Sequence, residues 1–192
     1  GAVLSTILRS APGAKGILYD LPAVVAGAGP LLAEAGVADR CTVTGGSFLN
    51  SVPAGGDVYV MKNIIHDWSD ADSTTILRNI RTAIAGEGKL ILLEMVLPER
   101  ASSFIGHMLD LEMLITLHGK ERTRAQYAKL LAAVTGEPIC ERLFSVMTEA
   151  RKKEVSWVMR REIKIDPLEI AEIEERFIET VRALKFSAAA AA

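Results

Sequence analysis

Cysteine is nearly absent from the chain: Cys41 and Cys140 stand alone, each inside a strand-like run, among 192 residues. Two isolated thiols do not make a metal site, and buried free thiols are the expected state. No G-x-G-x-x-G follows a strand-like run, which removes the dinucleotide fingerprint and disfavours a nicotinamide dehydrogenase. No apolar run approaches the ~18 residues of a membrane-spanning helix and no signal peptide opens the sequence, so the default expectation is a cytoplasmic protein. An excess of one charge is missing too. Lys and Arg number 22, Asp and Glu 24, and they are interspersed to a net charge of −2. No basic face argues for nucleic acid or an anionic membrane. A neutral or amphipathic small molecule fits such a chain better.

What the chain has in quantity is apolar residues, 49% of the total, enough at this length to bury one sizeable core. Helical spacing runs to about Ser10, then from Ala23 to Ala35, Asp70 to Ala85, Phe104 to Leu117 and Arg124 to Val134. Strand-like runs fill Gly16 to Asp20, Cys41 to Thr44, Asp57 to Lys62 and Lys89 to Val96. Ser69 reads as a helix cap with Asp72 in the first turn, where the dipole favours an acid, and Gly86-Glu87-Gly88 as the stop. Strands alternating with helices predict an α/β fold, a parallel sheet with helices on both faces.

Further along, Pro138 to Met147 and Glu154 to Arg161 read as strands joined by the polar turn Thr148 to Lys153. Asp166-Pro167-Leu168-Glu169 combines a cap, a first-turn proline and an acid three residues past the cap, all start signals for a helix. Ile170, Ile173, Phe177, Val181 and Leu184 recur along it every three or four residues. That stripe packs on the sheet or pairs with another subunit, which leaves a homodimer open. The closing alanines carry no functional signal.

Chemistry gathers where the strands end. Lys62-Asn63-Ile64-Ile65-His66-Asp67-Trp68 places one histidine where an apolar strand gives way to a polar loop. In an open α/β sheet such loops face the ligand crevice, and a neutral imidazole there can accept a proton near pH 7. A histidine closing a turn explains the same residue. Glu94, finishing the run Leu90-Ile91-Leu92-Leu93, needs a partner or solvent. Gly119-Lys120-Glu121-Arg122-Thr123 forms a polar turn after another apolar stretch. His66, Glu94 and Glu121 together offer a base with two carboxylates to orient its ring.

From Gly1 to about Thr135 these motifs, H-D-W after the fourth strand and G-K-E-R-T before a helix, resemble the S-adenosylmethionine-dependent O-methyltransferases of the caffeate and bacterial polyketide type. The resemblance implies a Rossmann-like methyltransferase sheet with helices on both faces, its first strand missing, and a terminal antiparallel strand pair; the extra C-terminal helix read from Asp166 onward is not something the family leads one to expect. It implies that His66 deprotonates a substrate hydroxyl, flanked by Glu94 and Glu121. Asn63, Asp67 and Trp68 then fall in the acceptor pocket, with Met108, Asp110, Met113 and Leu117 on a helix covering it. Ordinary core packing explains Met108, Met113 and Leu117 as well, and Trp68 could equally anchor the loop.

On the cofactor side, Asp20 ends a strand where a carboxylate commonly accepts from ribose hydroxyls, although Asp also suits the start of the helix near Pro22. The resemblance assigns Asp20, with Leu21 beside it, to the ribose of S-adenosylmethionine. It puts Ser47 where the family usually carries an acid for the adenine amino group, so charge assistance is lost there. Phe48 would stack on the adenine or pack in the core. Lys62 matches a position near the cofactor, or is a solvated strand-end lysine. Gly1 matches the last glycine of a loop whose earlier residues, with the central strand, are absent. The expectation is therefore a fragment of a longer protein, with a catalytic domain over 1–161 and a C-terminal amphipathic helix and alanine tail over 162–192. The predicted function is O-methyl transfer to a small aromatic or polyketide-like hydroxyl. A non-catalytic or degenerate protein that keeps the fold, dimerises and binds the cofactor weakly or not at all is the alternative.

Overall fold

The computed structural model describes residues 1–98 and 104–135, with the side chains of 104–108 excepted. Helix α1 (Ala2–Ser10) leads into strand β1 (Gly16–Asp20), two short helices, α2 (Pro22–Val25) and α3 (Ala28–Glu34), and strand β2 (Cys41–Gly45). Strand β3 (Val58–Lys62), helix α4 (Asp70–Ala83) and strand β4 (Lys89–Leu93) follow. The two-residue strand β5 (Val96–Leu97), helix α5 (Phe104–Leu117), the two-residue strand β6 (Arg122–Thr123) and helix α6 (Arg124–Thr135) complete the order.

Among the described residues every strand pair is parallel. Gly16 to Asp20 run opposite Cys41 to Gly45, and Val58 to Lys62 opposite Lys89 to Leu93. Among the described residues, no backbone ladder joins the β1–β2 ribbon to the β3–β4 ribbon. The larger apolar cluster includes Met61, Ile76, Leu77, Ile80, Leu92 and Tyr127, so α4 and α6 cover one side of β3 and β4. A smaller one gathers Leu8, Ala28, Leu32 and Val37 beside β1. There Arg40 Nη1 donates to the carbonyls of Leu8 and Ala11 at 3.0 and 3.3 Å, supplying partners that the end of α1 otherwise lacks. Helix α4 starts as its sequence dictates: the Asp72 N–H donates to Ser69 Oγ at 3.2 Å and Ser69 Oγ donates to Asp72 Oδ2 at 2.7 Å.

Three expectations need correction. The helix read from Ala23 to Ala35 is two helices, broken at Ala26-Gly27; glycine favours a break, and Pro30 is tolerated in the first turn of α3, where no partner is needed for its missing N–H. The strand read from Lys89 to Val96 stops at Leu93, and Val96–Leu97 pairs separately with Arg122–Thr123. Part of G-K-E-R-T is thus a strand, not only a turn. The predicted strand pair at 138–161, Cys140, the helix from Asp166 and the domain division at 161 lie outside the described residues. Among the described residues no helix is long and apolar enough to cross a membrane.

Candidate active site

The loop after β3 is shaped by its own sequence and then fixed from outside. Asn63 adopts φ 53°, the left-handed region that asparagine tolerates better than most residues, and its N–H still reaches Leu93 O at 3.0 Å. The chain turns into a short 3₁₀ turn, Ile65–Asp67, with Ile65 sunk into the core. Glu94, the first residue past β4 and itself buried, accepts the N–H of Ile64 at 2.9 Å and of Ile65 at 2.8 Å. Those donors open the turn and have no helical partner. Glu94 was expected to flank the histidine ring; in the structure it holds the backbone that carries it. Burial raises the Glu94 carboxyl above its ordinary pKa, against the two backbone N–H groups and His66, which lower it.

The His66 ring is only 4% exposed and stands between two carboxylates. Nδ1 lies 3.0 Å from Glu121 Oε1 and Nε2 3.1 Å from Asp67 Oδ1. Burial works to lower the pKa of His66. It is outweighed by the bond to Glu121 and the charges of Glu121, Glu94 and Asp67, so the net direction is up. With Nδ1–H donated to Glu121, the neutral ring keeps its basic lone pair on Nε2. A buried imidazole with its tautomer fixed in this way is equipped to take up one proton.

Glu121 reaches the ring because residues 119–122 lie directly against the histidine loop. A Cβ on Gly119 would overlap the His66 carbonyl oxygen and the Asp67 backbone, so only glycine allows the approach. The Lys120 N–H then donates to His66 O at 2.9 Å, and the Glu121 N–H donates to Asp110 Oδ1 at 2.9 Å. Asp110, expected in the acceptor pocket, thereby positions the turn that carries Glu121.

Arg122 was not singled out by sequence reasoning, which read it as one more polar turn residue. It is fully buried. Nη1 donates to Ile65 O at 2.8 Å, and Nη2 donates to Trp68 O and Asp70 Oδ1, both at 2.9 Å. One guanidinium so ties both ends of the histidine turn to α4. Burial works to raise the Asp70 pKa, but Lys120 and Arg122 outweigh it and hold the carboxyl below its usual range. Nothing in its local sequence, between Lys120 and Arg124, marks it as the buried cation.

Of the remaining expected residues, Asp20, Ser47, Phe48, Lys62 and Trp68 lie at or just beyond the carboxyl ends of β1, β2 and β3. Phe48, beyond β2, meets Trp68, beyond β3, edge to face at 5.7 Å between ring centres. Asn79 of α4 donates to Phe48 O at 2.8 Å. Both rings pack against the larger core, so the crevice ends of the two ribbons come together. Asp20 is half-buried at the tip of β1, its Oδ1 accepting the Leu21 N–H at 2.7 Å, and the Leu21 side chain is exposed. Ser47 opens the turn after β2, its carbonyl accepting the Asn50 N–H at 2.9 Å. Lys62 is exposed at the end of β3, Gly1 is exposed at the start of α1, and Met113 is buried on α5 while Leu117 is exposed. The Met108 side chain lies outside the described set. Asn63 Oδ1, Glu94 Oε2, Glu121 Oε2 and Tyr127 Oη are buried without a hydrogen-bond partner among the described residues.

Residues 1–135 match the profile of the O-methyltransferase domain family. The phenazine O-methyltransferase PhzM of Lysobacter antibioticus is 52% identical over 133 residues, 69% of this chain and 39% of that protein. The crystal structure of LaPhzM superposes with a TM-score of 0.66 at 51% identity, over 70% of this chain and 40% of that one. An O-methyltransferase of neocarzinostatin biosynthesis, solved with S-adenosylhomocysteine and 1,4-dihydroxy-2-naphthoic acid, superposes with a TM-score of 0.63 at 32% identity, over 71% of this chain and 40% of that one. The chain spans about two fifths of the length of these relatives. By the extent of the match and the fold it shares with them, this chain belongs to the O-methyltransferase domain family.

Proposed function

We propose that the protein containing this chain transfers a methyl group from S-adenosylmethionine to a hydroxyl of a small aromatic or polyketide-like acceptor, with His66 as the general base. The observation that carries this reading is the buried His66 ring, its Nδ1 3.0 Å from the sealed Glu121 carboxylate and its basic Nε2 at the crevice end of β3. Glu121 fixes the tautomer and orients the ring; Nε2 takes the hydroxyl proton. Glu94 holds the turn so that Nε2 stays in place. Bound S-adenosylmethionine would supply an electrophilic methyl carbon to the acceptor oxygen, leaving S-adenosylhomocysteine. Holding the acceptor oxygen in line is a task for the residues around the crevice, and positioning of this kind supplies much of the rate.

Asp20 and Leu21 would hold the ribose, Ser47 and Phe48 the adenine, and Gly1 and Lys62 the rest of the cofactor. Asn63, Asp67 and Trp68 would face the acceptor, with Met108, Asp110 and Met113 on the helix beyond. The family sheet would be completed by a further parallel strand between β1 and β3, from polypeptide outside these 192 residues; that no ladder joins the two ribbons among the described residues supports this, because a strand edge without a neighbour leaves a row of backbone N–H and C=O groups unpaired. Ser47 favours a second reading, a fold-keeping protein that binds the cofactor weakly.

Transfer of labelled methyl from S-adenosylmethionine to a panel of hydroxylated aromatics, by the complete protein and its His66→Ala variant, tests the proposal. The variant is expected to lose about 10²- to 10⁴-fold in rate, with cofactor affinity by isothermal titration nearly unchanged. A rate within a few-fold of the parent rejects His66 as base. Absence of cofactor binding in the parent selects the second reading.

A further inference from the structure

The two carboxylates on His66 differ in one respect that the base reaction makes important. Glu121, on Nδ1, has a side chain 0% exposed, whereas Asp67, on Nε2, is 32% exposed, and the ring between them is only 4% exposed. A base that takes up one proton per turnover must discharge it before it can act again. From Nδ1 there is no route outward, since Glu121 is sealed and its Oε2 is buried as well. From Nε2 the route is one carboxylate long. Nε2 carries a single in-plane lone pair or a single proton, so it cannot engage Asp67 and an acceptor hydroxyl together. The 3.1 Å contact to Asp67 Oδ1 and a hydrogen bond from an acceptor hydroxyl to Nε2 are therefore mutually exclusive, so the two can only follow one another.

We propose that Asp67 is the proton exit of the buried base, a relay that resets His66 between turnovers; this rests on His66 acting as the base. With acceptor bound, its O–H bond breaks and an N–H bond forms at His66 Nε2, while the oxygen forms its bond to the methyl carbon as the methyl–sulfur bond breaks. After the methylated product leaves, Asp67 Oδ1 closes on Nε2. The N–H bond then breaks, an O–H bond forms on Asp67, and the ring returns to its neutral state. The partly exposed carboxyl passes the proton to water and becomes a carboxylate again. No oxidant or further reactant enters.

Single-turnover and steady-state kinetics separate chemistry from the steps that follow it. With enzyme in excess over labelled S-adenosylmethionine, and 1,4-dihydroxy-2-naphthoic acid as the first of a panel of phenolic acceptors, the rate constants of the complete protein and its Asp67→Asn and Asp67→Glu variants are compared in both regimes. For Asp67→Asn, the ratio of single-turnover to steady-state rate constant should rise about tenfold or more over the parent, and added imidazole or formate buffer should bring it back down. Asp67→Glu, which restores a carboxylate, should lie near the parent ratio. An unchanged ratio for Asp67→Asn, or a raised ratio indifferent to buffer, overturns the relay while leaving His66 as base. Absence of single-turnover transfer in the parent to any acceptor overturns the base reading, and the relay with it.

Discussion

Lys120 donates its backbone N–H to the carbonyl oxygen of His66 at 2.9 Å, so the segment that carries Glu121 is fastened to the backbone of the residue whose ring Glu121 holds. The side-chain contact and the backbone contact are parts of one docked pair of loops. Disturbing the docking should therefore disturb the chemistry even when no catalytic atom is altered.

Gly119→Ala is the sharpest disturbance of that kind, since the added methyl group would overlap His66 O and the Asp67 backbone. Overpacking against backbone typically costs about 1–3 kcal/mol. The variant should be less stable by that amount in urea titration. Its methyl transfer should fall well beyond the fraction unfolded, because Glu121 leaves Nδ1.

For Arg122, the guanidinium is expected to matter through shape as much as charge. Arg122→Lys keeps the charge but cannot reach Ile65 O, Trp68 O and Asp70 at once; each lost hydrogen bond from a charged donor costs about 1.5–3 kcal/mol. Thermal denaturation should show Arg122→Lys almost as destabilised as Arg122→Met. If the lysine variant keeps parental stability, the clamp is not what fixes the histidine turn.

The pH dependence has opposite signs for activity and for stability. As a base, His66 works only when deprotonated, and its pKa is raised, so the transfer rate should climb through a midpoint above the ordinary 6.5. In Glu121→Gln that midpoint should move down, because the largest influence raising it is removed. For stability, a raised histidine pKa means that the folded state holds the proton more tightly. That contribution is full below the unfolded pKa and is lost as pH rises through the folded one. Glu94, also raised, adds loss in the same direction from a lower pH. The melting temperature should then fall from about pH 6 to pH 8.5, less steeply in His66→Gln; a flat parental curve contradicts the assignment.

At Ser47, restoring an aspartate in the complete protein should tighten S-adenosylmethionine binding. A hydrogen bond to a charged group contributes about 1.5–3 kcal/mol, roughly 10- to 100-fold. Isothermal titration reads this directly, and no gain means that the adenine lies elsewhere.

The sequence made the strands and the histidine loop legible because each rests on local signals: apolar runs for β1 to β4, Ser69 and Asp72 for the start of α4. It was less informative where one residue's partner lies far along the chain. Glu94 reads as a carboxylate seeking a partner near a histidine, and nothing local says that it takes two backbone N–H groups in place of the ring. Arg122 looks like a surface cation until the carbonyls of Ile65 and Trp68 arrive beside it from another segment. The break at Ala26-Gly27 was visible in principle, since glycine and a following proline occur together there, but helical spacing on either side concealed it.

The contacts that hold the His66 ring and its turn join segments 29 to 57 residues apart in the chain. Closing loops of that length carries an entropic cost met only once the core beneath has condensed. The base should thus be the last part of this region to come into being and the first to dissolve. Catalytic output would then decline ahead of any visible loss of helix or strand, making enzymatic rate a finer gauge of this chain's integrity than its spectrum.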